Sequence, residues 1–405
     1  MHTMTSRFSA PSGELKWRKD FDTVDDQLHD MHHRDDDGIQ WPKFRRSKTL
    51  PVLGVFVVVL IMWKIWPAKT SLDWSRYAYV QYATDEHNLC NALMVFEALE
   101  RHGSKADRVL LHHPEWATRA EGGVDHNSDI LTRAERNYRV KLKAVQVLDS
   151  RGDVSKAVLN GQPSTWDTSV TKLRAFELTE YERVIMLDSD ITLLDKIDEL
   201  FLLPKTPMAA PRAYWMNTAP RPQPLTSLLM VLEPNKAEFS TMVDTMRLWH
   251  FEDSDRNVTG MYDMELVNNR FAPSALVLPH RPYALLTAEF RNKDHYAYLG
   301  TANGPHTVKQ AWNAEQVLAE AKLIHFSDWP LPKPWMMWPE EGLLEMQPDC
   351  ESSRQQCPER DIWKQLYIEF RERRKKVCRT LPIEAPNWME WKVAVGASEA
   401  PQESE

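Results

Sequence analysis

Apolar and polar positions fall into three regimes along the chain. Residues 1–49 have little apolar periodicity and include Asp35-Asp36-Asp37-Gly38, so they read as a disordered tail. Residues 50–66, LPVLGVFVVVLIMWKIW, form an apolar run broken only by Lys64. That is about the length of the shortest membrane-spanning helices, with Lys64 able to snorkel and Trp63 and Trp66 suited to an aromatic belt. A buried strand pair is the alternative. The run lies too far from Met1 for an ordinary cleaved leader, so it reads as a signal anchor. Lys43, Arg45, Arg46 and Lys48 crowd its amino side, which predicts a cytoplasmic tail at 1–49 and a lumenal body after a short stem at 67–75.

From Arg76 onward strand and helix signals alternate. Tyr77 to Tyr82 predicts a strand, Leu89 to Leu99 a helix ended by His102-Gly103, and Arg108 to Leu111 a second strand. Residues 130–142 predict an amphipathic helix, 144–148 a third strand and 166–178 another helix. The run Val184-Ile185-Met186-Leu187 then predicts a central strand, because continuous apolar runs suit sheets buried on both faces. Strands separated by helices imply right-handed crossovers and an α/β fold with a mostly parallel sheet. Later strand signals are Ser227–Leu232 and the short Leu323–Trp329. The predicted domain is 76–385, followed by a disordered tail at 386–405.

The central strand ends in Asp188-Ser189-Asp190. Carboxyl ends of strands are where open α/β sheets bind ligands, and two hard oxygen donors there suit Mg²⁺ or Mn²⁺. A bare Asp-x-Asp also suits a strand followed by a charged turn. Other chemistry-bearing residues lie downstream: Asp263 and Glu265 ahead of an apolar segment, His325 on the last strand, and Lys333 and Trp335 among Pro330, Pro332 and Pro334. Trp329 and Trp335 suit either packing or stacking on sugar faces. No GxGxxG or GxxxxGK[ST] loop is present, so a bound nucleotide would rely on a metal ion and basic side chains.

Composition narrows the options. The 405 residues are 42% hydrophobic with 16 Trp, enough for a sizeable core, and the net charge of −8 argues against a nucleic-acid partner. The basic cluster Arg371–Lys376 reads as a solvated helix face. Of the four cysteines, Cys90 lies in an apolar helix and reads as a buried free thiol. Cys350, Cys357 and Cys378 cluster where an oxidising lumen permits one bridge, Cys350–Cys357 being nearest in sequence. Asn257-Val258-Thr259 is a glycosylation acceptor sequence.

The segment from Thr171 to Asp190, with His325-Phe326-Ser327-Asp328 and Lys333-Pro334-Trp335, resembles the signature of glycogenin-type retaining glycosyltransferases, family 8. Tyr79 to Asp85 and Leu89-Cys90-Asn91 look closest to the fungal Golgi N-acetylglucosaminyltransferase (glucose N-acetyltransferase) branch. The resemblance covers roughly residues 76–340. It implies a GT-A, Rossmann-like fold, a UDP-sugar donor, a mannose-containing glycan acceptor, and Mn²⁺ (or Mg²⁺) held by Asp188, Asp190 and His325. It sets Tyr82, Ala83, Thr84, Asp85, Lys172, Asp188, Ser189, Ser227 and Lys333 at the donor. Asp263 faces the reacting sugar, so Asp263 and Lys333 are the expected catalytic residues. Two positions depart from the pattern: Asn88, where a tyrosine is usual near the uracil, and Met264, where glutamine usually follows the acid. The resemblance also implies a type II Golgi glycoprotein. Two rival readings are a catalytically impaired, membrane-tethered sugar-binding protein and a haloacid-dehalogenase-type phosphatase, whose Asp-x-Asp-x-Thr start Asp188–Thr192 also fits.

Overall fold

In a computed structural model the described residues are 72–155, 166–216, 222–253, 262–300, 311–350 and 357–396. The apolar run at 50–66 and the Asn257 acceptor sequence lie outside them. Among the described residues no helix is long and apolar enough to cross a membrane.

Seven strands form the main sheet: β1 (Tyr77–Ala83), β2 (Asp107–His112), β3 (Val140–Ala144), β4 (Arg183–Leu187), β6 (Met208–Pro211), β7 (Leu229–Leu232) and β8 (Leu276–Leu278), in the order β3-β2-β1-β4-β7-β6-β8. The first four run parallel, β7 is antiparallel to both β4 and β6, and β6 pairs parallel with β8. A smaller sheet has the order β5 (Ile191–Leu193), β10 (Leu323–His325), β9 (Leu285–Leu286). The fold is therefore mixed α/β with a mostly parallel main sheet. Three strands precede β4, which removes the phosphatase reading, since that fold begins at its Asp-x-Asp strand.

The central strands are largely apolar because both faces are covered. Along β1, Tyr77 and Tyr79 enter one core with Leu89, Leu93 and Phe96, while Ala78, Val80 and Tyr82 enter a second with Phe176 and Phe271. The first core is built on α1 (Glu86–Arg101), which Asp85 caps by accepting from Asn88 N and which stops before Gly103 at φ 69°.

Several expectations need correction. The helix expected at 130–142 is α2 (His126–Tyr138), capped by Asp125 and ended by Arg139 in the left-handed region at φ 55°. The third strand is Val140–Ala144, not 144–148. It is an edge strand, so the alternation Val140-Lys141-Leu142-Lys143 fits it better than a continuous apolar run, and its lysines discourage further pairing. Cys90 is not a free thiol: it bridges Cys378, and a second bridge joins Cys350 to Cys357. The ordered body begins by Leu72 and extends past 385. The helix α7 (Trp388–Ala394) buries Trp388, and Trp391 Nε1 donates to Pro330 O at 2.7 Å. The basic cluster is not all solvated, because Arg374, just after α6 (Pro358–Arg373), is fully buried.

Candidate active site

Main-chain bonds bring the expected site together. The N–H of Asp188, just past β4, donates to Leu228 O at 2.9 Å, which sets Ser227 beside it. Asp190 O accepts from Phe326 N at 2.9 Å, and Ile191 pairs in register with His325. One carboxylate oxygen from each of Asp188 and Asp190 and a ring nitrogen of His325 therefore lie within 4.8 Å of one another. His325 Nε2 is 3.0 Å from Asp190 Oδ1, while its Nδ1 is buried with no hydrogen-bond partner. Two carboxylates and an imidazole with a nitrogen to spare fit a divalent metal ion, and the group could hold one.

The second cluster is an acid held by three donors. Asp263 begins α4 (Asp263–Phe271) and is buried. Its carboxylate accepts from Ser227 Oγ at 2.5 Å, from Lys172 Nζ at 2.7 Å and from Ser169 Oγ. The same Lys172 ammonium donates to Asp188 Oδ1, so one buried cation joins the two clusters. Lys333 Nζ lies 2.5 Å from Asp190 Oδ2 and also donates to Phe326 O. The two lysines differ in freedom: Lys172 is 3% exposed and Lys333 is 41% exposed.

These pairings set the protonation states. Burial alone would raise Asp190, but the charges of His325 and Lys333 overcome it and hold the carboxyl well below its ordinary value. Burial likewise opposes the ionised form of Asp263, and Lys172 with the two serines reverses that, leaving it lowered. Asp188 goes the other way: burial raises it against the pull of Lys172, and the charges of Asp190 and Asp263 add to the rise. Lys172 is held well above its ordinary value despite burial, because Asp188 and Asp263 flank it.

The turn after β1 is less open than its sequence suggests. Tyr82 is buried with its ring 5.7 Å from Lys172 Nζ, and Ala83 and Thr84 are buried as well. Asn88 donates through Nδ2 to Thr84 Oγ1 at 3.2 Å and Asp85 Oδ2 at 3.1 Å, so it braces this turn from within. Met264 is half-buried in the first turn of α4. Ser189 is buried between the two metal-side acids.

Sequence reasoning missed two groups. Ser169 lies three residues before Lys172 on a helical stretch, so their shared face was readable in principle. Asp328 accepts from Thr287, from Tyr367 Oη at 2.6 Å and from Arg291 at 3.1 Å, anchoring the loop between His325 and Lys333. No local spacing predicts that network, since its partners lie 37–41 residues away.

No family model matches the chain. Glucose N-acetyltransferase 1 of Aspergillus fumigatus is 42% identical over 380 residues, which cover 90% of this chain and 95% of that protein. The chain belongs to the glucose N-acetyltransferase family. The Gibberella zeae member is 43% identical over 79% of this chain and 66% of its own, and the Saccharomyces cerevisiae member is 26% identical over 76% and 82%. A galactosyltransferase, LgtC, solved with donor and acceptor sugar analogs, aligns over 72% of this chain and 95% of its own at 13% identity and a TM-score of 0.43, a likeness too loose to carry weight. As a glucose N-acetyltransferase family member, the chain is a sugar-transferring transferase, and the joined acid clusters are its candidate active site.

Proposed function

We propose that this chain is a retaining, metal-dependent glycosyltransferase with a GT-A arrangement. It moves N-acetylglucosamine from a UDP-sugar to a mannose-containing glycan in the Golgi lumen. Residues 50–66 anchor it to the membrane, with residues 1–49 in the cytoplasm. The observation that carries the reading is the convergence of Asp188, Asp190 and His325 at the end of β4, joined through Lys172 to Asp263. The relatives' name, glucose N-acetyltransferase, supports an N-acetylated, glucose-derived sugar. All four cysteines are in disulfides, which supports an oxidising compartment.

Asp188, Asp190 and His325 would hold Mn²⁺ (or Mg²⁺). A bound divalent ion supplies a Lewis acid that offsets charge on a diphosphate leaving group. The remaining work falls to side chains. Lys333, exposed enough to move, would add positive charge at the diphosphate, where a water-poor cleft makes it most effective. The turn Tyr82–Asp85 would seat the nucleotide. Ser227 would line the sugar pocket and orient Asp263. With both oxygens of Asp263 already accepting hydrogen bonds, that carboxylate suits a fixed counter-ion to a developing oxocarbenium centre better than a nucleophile.

The test is UDP release by the purified chain with a panel of UDP-sugars, with and without Mn²⁺ and mannose acceptors. Metal-dependent release with UDP-N-acetylglucosamine is expected. Asp190→Ala should lower it by about 10³-fold or more. Undiminished turnover by that variant would overturn the metal-site assignment.

A further inference from the structure

The basic run after α6 contributes nothing to the chemistry above, yet one member is wholly enclosed. Arg374 has no exposed surface and opens a π-helical turn, Arg374–Cys378. Such turns hold an extra residue and are frequent at functional sites. Arg374 Nη1 donates to His87 O at 3.2 Å and to Asn91 Oδ1 at 2.5 Å, both on the first turns of α1. Its Nε and Nη2 are buried with no hydrogen-bond partner. Burial pulls its pKa down to about 10, with Asp85 and Glu86 pulling back, so it stays charged at neutral pH.

A residue needed only for packing would not carry that charge. Enclosing a guanidinium with unpaired N–H groups is costly, and an apolar side chain of similar size in such a place is often neutral or stabilising. Through His87 O and Asn91 Oδ1 the guanidinium grips the first turns of α1, directly after the cap at its amino end. Asp85 caps that end, and Asn88 ties Asp85 to Thr84. The flanking residues hold the guanidinium in place. Arg373 Nη2 donates to Met94 O and Glu97 Oε2, both at 2.8 Å, and Cys378 is bonded to Cys90. On the other side His87 faces Trp335, with ring planes 21° apart and centroids at 6.3 Å, two residues beyond Lys333.

We propose that Arg374 is a positioning residue for donor binding: from the π turn after α6 it fixes the first turn of α1 and, through the Asp85 cap and Asn88, the turn Tyr82–Asp85 that seats the donor's nucleotide. The inference rests on the reading of that turn as the nucleotide seat. The π turn after α6 then shapes the donor site from behind α1. Because Arg374 holds α1 through His87 O and Asn91 Oδ1 and reaches none of the acids at the metal or sugar side, its loss should loosen nucleotide affinity while leaving the chemical step nearly intact.

The experiment compares the full-length chain with Arg374→Met and Arg374→Lys. UDP binding with Mn²⁺ is measured by calorimetry, donor KM and kcat by UDP release, melting temperature by scanning calorimetry, and amide exchange at 84–92 by mass spectrometry. Arg374→Met should raise the UDP Kd and the donor KM about tenfold or more, with kcat within about threefold. Exchange at 84–88 should quicken, the melting temperature should be no lower than the parent's, and lysine should recover part of the affinity. Unchanged donor affinity in a folded variant overturns the proposal, as does a loss of kcat that tracks a fall in melting temperature. Should Arg374→Met not fold, Asn91→Ala removes the partner from the other side and is held to the same affinity and exchange criteria. Failure of the parent itself to bind UDP with Mn²⁺ overturns the nucleotide reading and the proposal with it, whereas binding by parent and variant alike overturns the proposal alone.

Discussion

The amino-terminal half of the sheet and the carboxyl-terminal segment both contribute to the site but are built differently. β1, β2 and β3 pair parallel in sequence order, and β4 returns to pair parallel with β1 at the centre. This half supplies Lys172, Asp188 and Asp190 on buried backbone. The later segment supplies His325 and Lys333 through contacts that span the chain, including a disulfide across 288 residues. The two lysines express the contrast. Lys172 is enclosed between two carboxylates, whereas Lys333 is half-exposed on a loop held by Asp328. One half sets the charge of the site and the other adjusts it.

Substitution of the two lysines should separate those roles most sharply. Lys172→Met leaves Asp188 and Asp263 buried without their counter-ion and should cost about 3–5 kcal/mol of stability in urea unfolding. Lys333→Met should cost under about 1 kcal/mol by the same measurement, because its charge is partly solvated and His325 still faces Asp190, while turnover falls. Equal losses of stability would erase the distinction.

The cysteines probe the long-range half next. Replacing Cys90 and Cys378 together by alanine should cost about 2–4 kcal/mol, the range expected when a long loop loses its closure. The Cys350–Cys357 pair closes a loop only 7 residues apart in sequence and should cost less. Comparable midpoints for the two double variants would mean that the C-terminal segment is held mainly by packing.

A smaller effect is expected from Trp391→Phe. It removes the bond from Nε1 to Pro330 O and should cost about 1 kcal/mol, read as a shift of the urea midpoint. A larger loss would make α7 a structural keystone of the Lys333 loop.

Acid titration gives the finest comparison. Asp190 and Asp263 have folded pKa values below their unfolded ones, so they contribute stability above about pH 4 that is lost only as pH falls through the folded values. Asp188 is raised and takes up its proton first. Metal binding followed by Mn²⁺ resonance should therefore weaken at a higher pH than the one at which near-ultraviolet dichroism reports unfolding. Coincident transitions would show that the three acids titrate as one unit.

The same contrast explains what the sequence made legible. The central strands, α1 and the cluster of Asp188, Asp190 and His325 follow from apolar runs, a cap and the family resemblance, because those signals are local. β3 was misplaced because an edge strand alternates, and Val140-Lys141-Leu142-Lys143 is a weaker signal than the apolar stretch after it. Cys90 read as a free thiol because nothing near it indicates Cys378. Arg374 read as solvated because a run of basic residues does not reveal which member a π turn directs inward. The tail after 385 read as disordered because Trp388 and Trp391 find their partners at Glu345 and Pro330, far back in the chain.

The pairing of Ile191 with His325 has a consequence for how such enzymes diversify. Two metal-side residues 135 positions apart are aligned by three rungs of main-chain hydrogen bonding, which depend little on what the intervening chain does. Insertions or deletions between residues 194 and 322 that leave Ser227, Leu228 and Asp263 in place can reshape the surroundings of the site without moving this pairing. A chain built this way can change what surrounds its site while keeping Asp190 and His325 face to face.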